Sequence, residues 1–155
     1  MGESSGLSAA FFLGFTMNCQ VVGPVNDATR WGHYCRMLVK SLRHFGHRVV
    51  VKPLRLSTDV VEAPESDQPF GSIALNFVCA PFSTAGLYRE FGAKNVLIQL
   101  NPFEITDIEH LRLYHDFEKV ACVSPQICGL FHKHYPDVAT AYLPPMIDAS
   151  LLNPQ

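Results

Sequence analysis

Residues 15–51 read FTMNCQVVGPVNDATRWGHYCRMLVKSLRHFGHRVVV, and the three parts of this stretch decide the fold. Phe15–Val22 is a short apolar run of the kind that forms a buried strand, and Gly23–Gly32 is a polar, glycine-marked turn. Trp31, Cys35, Leu38, Leu42 and Phe45 then recur at spacings of four, three, four and three, which gathers them into one apolar stripe on a helix. His33, Arg36, Lys40 and Arg43 fall on the side expected to face solvent. Gly46 stands where a left-handed residue would stop that helix, and Arg48–Val51 is a second apolar run.

The same sentence recurs along the chain. Further strand-like runs are Ile73–Val78, Val96–Leu100, Val120–Val123 and Ala139–Leu143. A second helix is expected over Thr84–Phe91, with Ser83 as N-cap and Gly92 as terminator. A third begins at the capping box Thr106-Asp107-Ile108-Glu109, and a fourth at Ser124-Pro125, ending near Tyr135-Pro136. Leu54–Phe70, rich in Ser, Thr, Asp, Glu and Pro, reads as a surface loop and the most mobile interior segment. Apolar strands alternating with helices predict a three-layer, Rossmann-like α/β domain with a mainly parallel sheet of about six strands. Such a sheet carries its site outside the carboxyl ends of its strands.

Composition agrees and excludes. At 155 residues the chain has room for one core, with residues 1–14 read as a flexible leader and 15–155 as a single domain. Hydrophobic residues make up 48% and charged ones 17%, the balance of a packed globular chain. A net charge of −2 without a basic run gives no support for nucleic acid as partner. Phe11-Phe12-Leu13 is too short an apolar run to span a bilayer, so no membrane span is expected. The five cysteines form no CxxC pair and read as reduced thiols of a cytoplasmic protein.

Motifs of chemistry are sparse. The loop Gly23–Gly32 feeds a helix N-terminus, where unpaired amides and the helix dipole favour an anion. Its spacing matches neither G-x-G-x-x-G nor the P-loop, and a polar connection whose glycines serve the turn explains it as well. The histidine pairs are badly spaced for a shared metal, so no metal site is expected. His33, in the first turn of the first helix, faces the expected rim and is the one histidine kept as a catalytic candidate. Asp27, Glu104 and Asp148 are the rim carboxylates. Ser124 lies at the rim too, although an N-cap accounts for it.

At this point the residues resemble a known family. Gly23-Pro24, then Trp31-Gly32-His33-Tyr34, closed by Gly46-His47-Arg48-Val49, is similar to the opening of retaining, nucleotide-sugar-using glycosyltransferases of the GT-B fold. Val120–Ser124 and the segment Tyr142–Asp148 through Leu152-Asn153-Pro154 resemble the strand–Ser–helix and closing segments of that family's amino-terminal domain. Pro145-Met146 replaces the usual Asn-Gly there. The resemblance implies substrate or cofactor contacts at Gly23, Asn26, Asp27, Trp31, Gly32, Asn101, Glu104, Ser124 and Asp148, with His33 near the reacting sugar.

In this family the nucleotide-sugar donor sits mainly on a second Rossmann domain marked by Glu-x7-Glu, and no two glutamates here are eight apart. The expectation is an acceptor-side domain that binds no cofactor by itself and transfers no sugar until a partner chain or donor-binding domain completes the cleft. The alternative is a non-catalytic structural subunit derived from such a domain. Both need a partner, and a mean hydropathy of +0.11 with eleven phenylalanines fits a covered surface, a second copy of the chain being one candidate.

Overall fold

The computed structural model describes residues 16–55, 58–99 and 114–144. Their elements are β1 (Asn18–Gly23), α1 (Arg30–His44), β2 (Arg48–Pro53), β3 (Leu75–Val78), α2 (Phe82–Ala85), β4 (Lys94–Gln99), β5 (Lys119–Cys122), α3 (Pro125–His134) and β6 (Thr140–Tyr142). A 3-10 turn, Gly86–Tyr88, continues α2. The six strands form one sheet in the order β2-β1-β3-β4-β5-β6, every pairing parallel. All carboxyl ends therefore lie on one rim. The winding reverses between β1 and β3, so the rim crevice belongs beside Gly23 and Cys79.

Parallel strands covered on both faces read as continuous apolar runs, because both sets of alternating side chains are buried. Cys19, Val21, Phe77, Val96, Ile98 and Ala121 pack with Tyr34, Cys35, Leu38, Val39 and Leu42 of α1. Their neighbours Val78, Leu97, Val120 and Cys122 pack on the opposite face with Ile127 and Phe131 of α3 and with Tyr114, whose ring meets Phe131 edge-on at 4.8 Å. These are the three expected layers.

The caps explain where the long helices begin. Thr29 Oγ1 accepts from Gly32 N at 3.3 Å to start α1, and Ser124 Oγ accepts from Ile127 N at 3.2 Å with Pro125 next in α3. Gly46, at φ +90°, turns the chain out of α1 in the left-handed region, as its position in the sequence indicated.

Three sequence expectations change. Phe45 does not complete the buried stripe: it is the C-cap of α1 and 43% exposed, since the helix has ended before its side chain could reach the sheet. The second helix starts earlier and is shorter than expected, with Pro81 at its cap position and Ser83 inside it; Arg89 is already extended. Arg36 and Arg43 do not fall free into solvent; both are half-buried and bonded to loop segments. The capping box at Thr106–Glu109 lies outside the described residues.

The Leu54–Phe70 segment is a loop as expected, and its residues 65–67 are bonded along the outer edge of β2. Asp67 N donates to Val49 O at 2.9 Å, Val49 N donates to Asp67 Oδ2 at 2.9 Å, and Val51 N donates to Ser66 Oγ at 3.0 Å. Arg43 bonds Asp67 Oδ2 at 3.1 Å and the Glu65 carbonyl. Side chains thus satisfy an edge that would otherwise present unpaired amides. The Val49 amide, reinforced by Arg43, holds the Asp67 carboxyl below its ordinary range.

On the α3 side of the sheet a polar row crosses β1, β3 and β4. Gln20 Nε2 donates to Asn76 Oδ1 at 3.0 Å, and Asn76 Nδ2 donates to Asn95 Oδ1 at 2.8 Å and Tyr88 O at 2.9 Å. Asn95 Oδ1 also accepts from Glu90 N at 2.8 Å. All three amide side chains are buried, and the row fixes the turn before β4 against the sheet.

Candidate functional site

Gly23 ends β1 where three elements converge. A Cβ there would lie 2.8 Å from Cys35 Sγ of α1 and 3.1 Å from Cys79 Cβ beyond β3. Only glycine lets the strand, the helix and the switch-point neighbour close this tightly. Gly32 is needed for the same reason: its Cβ would meet Asp27 O at 2.2 Å and Pro24 O at 2.7 Å. The loop is consequently folded back on the first turn of α1.

Three backbone donors of that loop are bonded inside the protein. Val25 N donates to Gly23 O at 2.8 Å, Asp27 N to Pro24 O at 2.9 Å and Ala28 N to Asp59 O at 3.1 Å. Val61 N returns a bond to Asn26 O at 2.8 Å, and Asp27 pairs with Val60 as an isolated antiparallel bridge. Arg36 reaches up from α1 and donates to Val25 O at 3.0 Å and Asp27 O at 2.5 Å. These bonds leave the Val25, Asp27 and Ala28 amides no donor for a phosphate.

Three acceptor atoms at the loop are left over. Asp27 is fully buried, and neither of its carboxylate oxygens has a hydrogen-bond partner among the described residues; Asn26 Oδ1 is in the same position. His33 stands exposed on the first turn of α1, its amide bonded to Thr29 O at 3.0 Å. Trp31 is half-buried and packs against the α1-side core. Ser124 is engaged as the cap of α3.

Gly23, Asn26, Asp27, Trp31, Gly32 and His33 are therefore one contiguous structure at the end of β1, whereas Ser124 follows β5 on the same rim. Asn101, Glu104 and Asp148 lie outside the described residues.

Two contributors were not among the expected site residues. Tyr34 OH donates to Leu143 O at 3.0 Å, joining the first turn of α1 to the exit of β6 across the rim. Burial pushes the Tyr34 hydroxyl well above its ordinary range, so it stays a donor. Arg36 is the other, and its place on the polar side of the helix gave no signal of a loop clamp.

His47 explains the Gly-His exit. It is buried, and its Nδ1 accepts from Met17 N at 3.1 Å, so the residue leaving α1 fixes the residue entering β1. Burial pulls the imidazole below its ordinary value, which keeps this acceptor neutral.

The thiols are chemically quiet. Cys19, Cys35, Cys79 and Cys122 are buried and all five cysteines are free. Burial pushes Cys19 up to about 12, and Cys79 and Cys122 also rise, Cys79 chiefly through its hydrogen bond with Cys35 and Cys122 chiefly through burial. Neutral, enclosed thiols are poor nucleophiles. Among the described residues no group of His, Cys, Asp or Glu could hold a metal ion, and no helix is long and apolar enough to cross a membrane.

A groove of about 520 Å³ runs between Arg36, Lys40 and Arg43 of α1 and Glu62–Glu65. It lies along the helix flank and not at the rim. No protein-family model and no curated protein matches the chain.

Proposed function

We propose that this chain is the acceptor-side domain of a retaining glycosyltransferase of the GT-B class, completed by a donor-binding Rossmann domain in the same or another polypeptide. One observation carries the reading. Three residues of the resembling motif, Gly23, Gly32 and Tyr34, shape the rim, through the packing of Gly23 on Cys79, the closure of Gly32 on Asp27 O and the bond of Tyr34 to Leu143, while His47 of the same motif ties the amino ends of β1 and β2 together through Met17. Gly23 and Gly32 of that motif are the two tight glycine positions of the loop that leaves β1 beside the β1–β3 switch.

In this reading the rim supplies one wall of a cleft, and His33 is the exposed group offered to the reacting sugar. The internal bonds of the Val25, Asp27 and Ala28 amides support a donor diphosphate held elsewhere, on the second domain. Half a cleft positions one reactant only, so the chain by itself does not transfer sugar.

Calorimetry of the 155-residue chain with uridine, guanosine and adenosine diphosphate sugars tests this directly. No binding in the micromolar range is expected. Micromolar affinity for any of them means that a complete donor site exists here and the acceptor-side assignment is wrong.

A second reading, a non-catalytic structural subunit, draws on the apolar side chains left in the open, Phe70 at 75%, Leu87 at 80% and Phe91 at 102% exposure. A donor domain supplied in trans separates the two: restored transfer that His33→Ala lowers by about a hundredfold or more, the usual scale of acid–base groups, favours the enzyme. Assembly without transfer favours the subunit.

A further inference from the structure

The orphaned atoms at the β1–α1 loop share one property: Asn26 Oδ1, Asp27 Oδ1 and Asp27 Oδ2 are all acceptors. Buried polar groups in folded proteins are nearly always satisfied, and an ionised carboxylate is the most costly one to leave bare. Asp27 also has no ion pair among the described residues; Arg36 turns its Nη1 to the carbonyls of Val25 and Asp27 and not to the carboxylate.

The cover over Asp27 is thin. Residues Thr58, Asp59 and Val60 are exposed, and so are Ala28, Thr29 and Arg30 on the other side. The bonds Ala28 N to Asp59 O and Val61 N to Asn26 O, with the bridge at Val60, join this strap to the loop.

We infer that Asp27 is the seat of a cationic nitrogen donor, an ammonium or guanidinium that enters when the strap 58–61 parts from the loop. The reasoning is one of matching. Ammonium and guanidinium groups are donors only, so they complement a site whose spare atoms are acceptors only, whereas a hydroxyl brings an acceptor of its own. A cation also neutralises the buried carboxylate and makes charge-assisted bonds to it. An anion meets the reverse: a carboxylate, and loop amides at Val25, Asp27 and Ala28 that already have partners.

The cation has two natural sources, a free amine-bearing ligand or a lysine or arginine of a partner protein. The inference stands apart from the glycosyltransferase reading, since it uses neither the motif nor a second domain.

Amide NMR on the full chain tests it, with methylguanidinium and ethylamine as small probes, a lysine- and arginine-rich peptide as the protein-like probe, and inorganic phosphate as control. The cationic probes should shift the Ala28 and Val61 amides in a saturable way, and phosphate should not. Asp27→Asn should weaken that binding by about tenfold or more, the equivalent of one charge-assisted hydrogen bond. Peptide binding that is about tenfold or more tighter than methylguanidinium assigns the site to a partner's side chain, and similar affinities assign it to a small amine.

Phosphate shifting these amides overturns the inference, as do cations that shift nothing at the loop or that bind Asp27→Asn unchanged. A melting scan guards the premise. Removing an unpartnered buried charge should leave the melting temperature level or raise it. A clear fall, or failure to fold, would show that the carboxylate is satisfied inside the protein.

Discussion

The two faces of the sheet are held by different physics. Under α1 the core is mainly apolar: Leu38 and Leu42 share one buried cluster with Val21, Phe77 and Val96, side chains that need no particular partner atom. On the α3 side the apolar core of Leu97, Val120 and Phe131 gives way toward β1 to the buried amides Gln20, Asn76 and Asn95. One face pays in volume, so its losses scale with the methylenes removed. The other depends on pairing, so its losses scale with the donors and acceptors left without partners.

The largest effect is expected on the apolar face. Leu38→Ala or Leu42→Ala should destabilise the fold by about 2–5 kcal/mol in denaturant unfolding, the range for cavities at fully buried leucines. A loss below about half a kcal/mol at both sites would break the comparison, because surface positions behave that way.

The amide row should respond less to volume and more to chemistry. Asn76→Ala is expected to cost about 1–3 kcal/mol, since it removes partners of Gln20 Nε2, Asn95 Oδ1 and Tyr88 O at once. Coupling sharpens the contrast. In a double-mutant cycle Asn76→Ala and Asn95→Ala should be strongly non-additive, while Asn76→Ala and Leu42→Ala, on opposite faces, should add. Additivity within the row would mean that the three amides act as separate bonds.

The smallest effect belongs to His47, at the amino edge between β1 and β2. Its pKa is lowered in the folded protein, so the stability it contributes is present above its ordinary value of 6.5 and is lost as pH falls through the lowered folded value. Protonation of Nδ1 removes the acceptor for Met17 N, a loss of about 0.5–1.5 kcal/mol for one hydrogen bond. Melting temperature followed from pH 7.5 downward should fall below about pH 6.5 in the native chain and flatten in His47→Phe. A profile that is unchanged by the substitution would assign the pH dependence to another group.

These positions also show what was legible beforehand. The strand runs stood out because parallel strands are apolar on both sides, and α1 because its stripe keeps helical period. Ser124-Pro125 announced α3, since an N-cap and a first-turn proline act locally. Where local signals were weak the reading slipped. The second helix was drawn too long because Gly92 at φ +81° ends a turn and not a helix. The Leu54–Phe70 segment was legible as a surface loop, but nothing in its composition tells that Ser66 and Asp67 cap the edge of β2.

The candidate site divides in the same way. Gly23, Gly32 and His33 could be picked out as loop and helix-start residues, and all belong to one structure at the end of β1. The burial of Asp27, the clamp by Arg36 and the bond from Tyr34 to Leu143 could not be read from spacing, since Tyr34 and Leu143 are 109 residues apart.

The sequence by itself determined the class of fold: which segments are strands, where α1 begins and ends, and that the strands run parallel with helices on both faces. Those properties follow from hydrophobic period, capping and turn chemistry, all of which act over a few residues. Only the tertiary structure decided the strand order, and with it the β1–β3 switch that brings Gly23 against Cys79. It also decided which polar atoms found partners and which, like the carboxylate of Asp27, did not. Hydrogen bonds require both groups at one place in space, and the packing of elements distant in sequence sets that place.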